Sequence, residues 1–521
     1  MFRFLNCLPS HVHRVEENMS LQYGKLISSI LLEHYGEAAE RVGRDLFRWG
    51  PKSLREISST TGMHIERVKE TLCLLIQFNL VTFSPGKSPN KADYTLIAER
   101  VLLLLRYPRY LYQVKTLYGN EEEALVEELL QHGQKTASEA LLSVAKKLNE
   151  AMEGNKCICV VTLKDKFLSL VRNRFIQRCP SVCEGPVPTF TLNESALYLE
   201  PDVNIKELTI KIQKKDTNQD NFPDEKVYWR VNFDRFHQEM RDQIMISSIA
   251  RRIDSNASEL LDQLLKLMYK KTDAWAPISN PISLMEIREV LRKNPSQHVL
   301  FQYLDQYLKV LEEDLSGFLD KSGDSAGGQF SINMKKAFSQ LAWVTVENIV
   351  VERFGSKAAR IFRLVKLKKY AEQDQILQLC MVPSKECKLL IYQLSQENFL
   401  QLRELRKTLS NTGPNKTFYM YHIDLEQVAR MVLEMCYKAM YNALVKRESQ
   451  KTENKRLIEK QQRIESIALN LKEQGASEEQ LAEIEEMLTP PERTVLEKVR
   501  VTMDKLTEAE LQIDETVFLL Q

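Results

Sequence analysis

Ser53-Leu54-Arg55-Glu56-Ile57 returns as Ser283-Leu284-Met285-Glu286-Ile287, and Thr136-Ala137-Ser138-Glu139 keeps the same frame of hydroxyl and glutamate. In this frame the hydroxyl accepts a hydrogen bond from the third helical amide, while the Glu reaches back to the capping residue's own amide. Three short helices therefore begin alike, which marks an internal repeat. A turn and a second apolar-periodic helix follow; in the first copy it carries Val68, Leu72, Leu75 and Ile76 on one face. A short apolar strand follows at once, seen in Phe78-Asn79-Leu80-Val81, Arg174-Phe175-Ile176 and Glu397-Asn398-Phe399-Leu400. The last of these ends a fourth copy, whose helices carry Ile376, Leu379 and Cys380, then Cys387, Leu390 and Leu394.

The third copy continues into a β-hairpin: Phe318-Leu319, a Gly-rich loop from Gly323 to Gly328, then Phe330-Ser331-Ile332. The fourth does the same, with Asn411-Thr412-Gly413-Pro414 before Phe418-Tyr419-Met420-Tyr421. Helix, helix-turn-helix and hairpin in series make a winged helix. Four copies fit residues 20–440, extended by long flanking helices such as Asp234 to Lys270. Beyond them, Asp424 to Gln474 holds no Gly or Pro, so a single helix there would run about 75 Å. Leu457, Ile464 and Leu471 recur on it with Ile467 between, and Gly475 stops it. Ser477-Glu478-Glu479-Gln480 caps a second helix with Leu481, Ile484 and Leu488. Thr489-Pro490-Pro491-Glu492 starts a third with Leu496, Val499, Met503, Leu506 and Ile513 at three- and four-residue steps.

The expected fold is mainly α with small β-hairpin wings: four tandem extended winged helices and a C-terminal antiparallel coiled-coil stalk. A disordered extension covers 1–18 and the winged helices cover 19–118, 119–200, 226–350 and 351–443. A polar linker at 201–225 contains Lys214 to Asn221, and the stalk takes 444–521. The apolar strip Leu457, Ile464, Ile467, Leu471, Leu496, Val499, Met503 and Leu506 must bury within the hairpin or against another protein.

Composition sets the outer bounds. The 521 residues exceed what one core organises. Lys and Arg number 72 against 71 Asp and Glu, so no global basic field draws the chain to nucleic acid and any DNA contact is local. Nine scattered cysteines fit a reducing compartment and not a disulfide framework. Cys157, Cys159, Cys179 and Cys183 lack the paired C-x2-C spacing of zinc ribbons and read as ordinary thiols. The apolar run Val101 to Leu105 is far too short to span a bilayer.

With the repeats placed, the sequence resembles the winged-helix subunit family of RNA polymerase III, the largest members of that enzyme's three-subunit initiation subcomplex. The resemblance rests on Leu105-Arg106-Tyr107-Pro108-Arg109-Tyr110, Val126-Glu127-Glu128-Leu129-Leu130, Phe175-Ile176-Gln177-Arg178-Cys179-Pro180-Ser181 and Tyr228-Trp229. It continues through Asp234-Arg235-Phe236-His237, Lys321-Ser322-Gly323-Asp324-Ser325, Arg353-Phe354-Gly355-Ser356, Ala359-Arg360-Ile361-Phe362-Arg363-Leu364 and Ile513-Asp514-Glu515-Thr516. It implies a nuclear, non-catalytic subunit without cofactor that joins two small partners and sits on the clamp of the largest subunit. It also implies help with promoter opening beside the general initiation factor, for transcripts such as transfer RNA and 5S ribosomal RNA. Cytosolic DNA sensing in innate immunity is a further implied role. Residues 1–18 depart from the family's usual start, for which Met19-Ser20-Leu21 is closer. Pro186 to Asn221 is shorter and less basic than in some relatives.

Three motifs bear on other chemistry. Gly323-Asp324-Ser325-Ala326-Gly327-Gly328 approaches the nucleophile motif of trypsin-like proteases, but Ala326 interrupts it and no His base sits in the matching context. A wing tip that needs glycine for positive φ accounts for it. The same loop lacks the G-K-[ST] of a phosphate cradle. The eight His form no H-x-x-x-H pair for a metal. Hydrolase chemistry is therefore disfavoured, and a free-standing winged-helix DNA-binding regulator is the remaining alternative.

Local charge supplies the nucleic-acid candidates. Arg353, Lys357, Arg360, Arg363, Lys366, Lys368 and Lys369 occur without one acid between them. Such a run neutralises phosphates with little sequence choice, or forms a solvated helix face or meets acidic protein. Arg106 and Arg109 alternate with tyrosines, a composition for stacking on single-stranded DNA or for packing between winged helices. In the first copy His64, Arg67 and Lys69 are interleaved with Glu66 and Glu70, which favours protein over DNA.

Overall fold

The computed structural model describes residues 20–86, 91–151, 160–183, 189–191, 196–205, 208–209, 224, 227–293, 298–323, 327–407, 416–473 and 487–521. The expected extension at 1–18, Ser325, Cys157, Cys159, the Asn411 loop and the hairpin's middle segment with Leu481 and Ile484 lie outside the described residues.

The first repeat runs α1 (Leu21–Trp49), β1 (Lys52–Ser53), α2 (Leu54–Thr61), α3 (Ile65–Gln77), β2 (Val81–Pro85) and β3 (Ala92–Leu96), with strand order β1-β3-β2. After α4 (Ala98–Leu102) and α5 (Tyr107–Leu117), the second runs α6 (Asn120–His132), β4 (Lys135–Thr136), α7 (Ala137–Ala151), α8 (Val160–Arg172) and β5 (Ile176–Arg178). The small sheet of β6 (Ser181–Cys183) and β7 (Thr189–Thr191) is inserted before β8 (Tyr228–Val231), giving order β4-β8-β5. The third runs α9 (Phe233–Arg252), α10 (Ser255–Lys271), β9 (Ile282–Ser283), α11 (Leu284–Lys293), α12 (His298–Gln302), α13 (Leu304–Glu313), β10 (Leu319–Gly323) and β11 (Gln329–Ile332), in order β10-β11-β9. The fourth runs α14 (Met334–Phe354), α15 (Ser356–Lys368), β12 (Ala371–Glu372), α16 (Gln373–Leu379), α17 (Ser384–Gln396), β13 (Gln401–Lys407) and β14 (Lys416–His422), in order β12-β14-β13. Each copy is a winged helix: two short helices framed by an antiparallel three-stranded sheet.

The repeated pentapeptides start α2, α7 and α11. The Ser53 amide donates to Glu56 Oε2 at 2.9 Å, Glu139 N donates to Thr136 Oγ1 at 3.3 Å and Glu286 N to Ser283 Oγ at 3.4 Å. In the fourth copy Glu372 and Gln375 form the box instead. The recurring apolar stretch, expected as a strand, is first a helix stop, and the strands begin only at Val81, Ile176 and Gln401. Asn79, Arg174 and Asn398 take φ of 59°, 64° and 60°, and Gly317 holds the same place in the third copy at 59°. The next amides, of Leu80, Phe175 and Phe399, donate back to Leu75, Leu170 and Leu394 at 2.9, 3.0 and 2.8 Å. This left-handed cap turns each chain sharply from recognition helix into wing. It also buries the following side chain, Leu80, Phe175, Phe318 or Phe399.

The chain divides into two compact bodies, one from the described parts of Glu16–Met240 with Met440–Leu511, the other from Arg241–Ala439 with Gln512–Gln521. In the first body, Tyr110 and Val114 of α5 join the core of the second repeat, with Phe167, Phe175, Trp229 and Phe236. The second repeat reaches past residue 200: β8 pairs with both β4 and β5, Val203 and Leu208 are buried in the same core, and Asp224 accepts from Ser138 N and Oγ at 2.8 and 2.7 Å. Val203, Leu208 and Asp224 of the expected linker at 201–225 therefore belong to the second repeat, while Lys214 to Asn221 lie outside the described residues. In the second body α14 serves two cores, with Met334 and Ala337 in the third and Ala342, Val346 and Val350 in the fourth. The fourth winged helix thus begins before residue 351.

The expected unbroken helix from Asp424 is two helices, α18 (Leu425–Glu453) and α19 (Lys455–Glu473), followed by α20 (Pro490–Leu520). At the break the Asn454 side chain donates to the Gln450 carbonyl at 3.0 Å, competing for a helical acceptor. At α20's start Thr489 N donates to Glu492 Oε2 at 3.0 Å and Lys460 of α19 donates to the same atom at 2.7 Å. These bonds, Lys460's first, hold the Glu492 carboxyl down at about 2.

Candidate interaction surfaces

The basic run forms α15 and its flanks, and its inner face is apolar: Ala358, Ala359, Ile361, Phe362 and Val365 are buried. The cations therefore point outward, but most meet a partner. Arg353, Lys357 and Arg363 pair with Glu397 at 3.1 Å, Glu386 at 2.7 Å and Glu347 at 2.5 Å. Lys366 lies 4.7 Å over the Trp343 ring, where burial lowers its pKa, and Arg360 donates to the Cys380 carbonyl at 3.4 Å. Among the described residues only Lys368 and Lys369 of the seven stand without such a contact. The acids come from other helices, so a gap in the sequence's acidic residues did not translate into a bare basic face.

Arg106 and Arg109 sit differently. Arg106 is buried, and Arg109 donates to the Leu511 carbonyl at 2.7 Å. Their tyrosines pack inward as well: Tyr107 stacks on Phe233, and Tyr110 bonds His237 Nε2 at 2.8 Å. Of the two uses the sequence left open, packing is the one these residues show: Pro108 starts α5 and its periodicity turns Tyr107, Tyr110, Leu111 and Val114 to the core, while Tyr112 stays exposed.

On the hairpin, Ile464 and Val499 are buried, while Leu457, Leu471, Leu496, Met503 and Leu506 are partly covered. Ile467 is 45% exposed and Leu469 62%, on opposite sides of α19, so each lies outside the hairpin's own interior. Leu469 was not read from the heptad spacing, since it falls off that register.

Sequence reading also missed a buried ion cluster. Arg447 of α18 bonds Glu510 Oε2 at 2.6 Å and Glu33 Oε2 at 2.7 Å, while Lys451 bonds Glu33 Oε1 at 2.9 Å. Burial pushes the Glu510 carboxyl above its ordinary value despite Arg447, and Glu510 Oε1 has no hydrogen-bond partner. At Glu33 burial acts in the same sense, but the bonds and charges of Lys451 and Arg447 outweigh it and the carboxyl titrates low. Glu33 lies more than 400 positions from Arg447 and Lys451, and Glu510 63 from Arg447, so no local pattern reveals the cluster.

No group of three or more His, Cys, Asp or Glu able to hold a metal occurs among the described residues. Burial raises the Cys179 thiol to about 11. No described helix is long and apolar enough to cross a membrane.

Tandem winged helices with a helical hairpin and surfaces of this kind define the class of multi-domain transcription proteins. Four family models match: the "RPC82 helix-turn-helix domain" of RNA polymerase III at 25–86, "RNA polymerase III subunit RPC82" at 190–341, the "POLR3C, C-terminal winged-helix domain" at 346–423 and the RPC3 "helical hairpin domain" at 456–519. The cow and human proteins named DNA-directed RNA polymerase III subunit RPC3 are each 41% identical, over 95% of this chain and 97% of theirs. The zebrafish protein of that name is 37% identical over 96% of this chain and 98% of its own. The chain belongs to the RNA polymerase III subunit RPC3 family.

Proposed function

We propose that the chain is a non-catalytic subunit of DNA-directed RNA polymerase III in the nucleus, joining two smaller partners to the clamp of the largest subunit. There it assists promoter opening beside the general initiation factor, for small untranslated RNAs such as transfer RNA and 5S ribosomal RNA. Promoter DNA passes α15 without sequence choice, through Lys368, Lys369, Arg360 and the cations now paired with acids. Through the same polymerase the chain takes part in cytosolic DNA sensing. The reading is supported by the match to RPC3 proteins over 95% of the chain, with Ile467 and Leu469 left exposed on opposite sides of α19 in the hairpin.

Ile467→Asp with Leu469→Asp tests it in the full chain. Both side chains are substantially exposed, so solubility and melting should hold. Recovery of the largest polymerase subunit by co-purification should fall at least about tenfold, a loss near 1.4 kcal/mol. Recovery at wild-type level would assign the anchor to a winged helix.

A further inference from the structure

The three-stranded sheet of the fourth winged helix has two unlike faces. Ala371 belongs to the fourth core and its cross-strand partner Tyr421 packs against it. The pleat turns their neighbours the other way, so Tyr370, Arg403, Leu405, Phe418, Met420 and His422 share the opposite face. None of these six belongs to the core. Leu405 and Phe418 are direct cross-strand partners, 43% and 40% exposed, and Tyr370 is 42% exposed. The Tyr370 ring stacks on His422 with centroids 5.5 Å apart, and Arg403 reaches across the sheet to donate to the Tyr370 hydroxyl at 3.2 Å.

The free charge on this face has one sign. Arg403 is exposed and meets no carboxylate among the described residues. Glu372, opposite Met420 on the same face, has its carboxylate engaged in the capping box of α16. Lys368 and Lys369, both exposed, end α15 directly before Tyr370. Projecting rings on an open sheet, bordered by cations and holding no free carboxylate, suit a strand whose bases are unpaired. Each base lays its π-face on a ring while the phosphates meet the cations. A duplex keeps its bases stacked inside and cannot use the rings. Phe418 and His422 stand four residues apart on β14, about 14 Å along an extended strand, so they receive different bases.

We propose that this outer wing face is a stacking platform for unpaired bases of a DNA strand. Phe418 holds one base and the Tyr370–His422 pair another, while Arg403, Lys368 and Lys369 hold the backbone. For the route of the strand the proposal rests on the reading that DNA passes α15, the helix whose last cations adjoin the platform.

Two labelled probes titrated against the full chain separate the platform from α15: an oligothymidylate of about 20 nucleotides and a duplex of the same length. Phe418→Ala and Tyr370→Ala should each weaken the single strand about tenfold and leave the duplex unchanged. Phe418→Trp, which keeps a ring, should bind as wild type. Melting should hold in all three, since both rings are substantially exposed. A single strand indifferent to both alanine variants overturns the platform, whether or not the duplex binds. A duplex that does not bind, beside a single strand that still depends on the rings, overturns the α15 reading and upholds the platform. In a second measurement Phe418 is replaced by the photo-crosslinker p-benzoylphenylalanine, and the polymerase that co-purifies with the chain is irradiated on DNA with an unpaired bubble. Crosslinking to a bubble strand is expected, and capture of protein alone refutes the proposal.

Discussion

The ion cluster around Arg447 and the ion pairs along α15 use the same groups and behave oppositely. Around Arg447 the cation is nearly covered, Glu510 more so, and one guanidinium serves two carboxylates. Along α15 the pairs are open to water: Lys357 and Glu386 keep 53% and 39% of their side-chain surface. Desolvated charges depend on one another strongly, while exposed pairs are screened and contribute little. The first cluster is thus structural, and the second leaves its cations available to a competing anion. The difference identifies where in this chain charge can serve binding.

The largest effect should follow Arg447→Met. It leaves Glu33 and Glu510 facing each other without their shared cation, and loss of one partner from a buried pair costs roughly 3 kcal/mol. Hydrogen exchange of α1 and α20 reads the loss locally, which avoids treating a multi-domain chain as two-state. Unchanged protection of both helices would show that the cluster is no more structural than the pairs on α15.

A smaller effect concerns acidity. A carboxyl titrating above its unfolded value binds its proton more tightly when folded, so its ionisation lowers stability as pH rises through that raised value. Glu510 therefore costs stability at neutral pH and regains it on acidification. Glu33, held low, acts in reverse and loses its contribution only at more acidic pH, through its depressed value. As pH falls through Glu510's raised value, the wild-type chain should gain melting temperature relative to Glu510→Gln. Parallel pH profiles would remove Glu510 from the account.

Much of the fold was legible because its signals are local. Capping boxes at Ser53, Thr136 and Ser283 each lie within a few residues of the turn they make, whereas the left-handed stops at Asn79, Arg174 and Asn398 read as strand because apolar residues surround them. The coiled-coil expectation placed Ile464 and Val499 where burial is found. What stayed hidden depends on distant partners. Trp229 completes a sheet begun at Lys135, across a polar insertion that masks the periodicity. Arg106 and Lys357 look equally available in sequence, yet one faces a core and the other solvent. The acids that temper α15 come from α14 and from α17 and its C-terminal cap.

The smallest expected energy is that of the Lys357–Glu386 pair, and it bears most directly on the comparison. A double-mutant cycle through Lys357→Ala and Glu386→Ala should return about 0.5 kcal/mol or less of coupling, as exposed pairs do. Because the bond is so weak, a phosphate can replace the carboxylate at little cost. Glu386→Gln then removes the internal competitor, leaves the helix-turn-helix intact and frees Lys357. If α15 meets DNA, non-specific affinity should rise a few-fold and the plot of log affinity against log salt should steepen by about one contact, near 0.9. Glu347→Gln should do the same through Arg363, whereas Arg447, locked inward, should contribute nothing to the slope. Titration of a labelled duplex at several salt concentrations measures all three. An unchanged slope in both glutamate variants would remove α15 from the DNA path and leave it, like the Arg447 cluster, a feature of the fold alone.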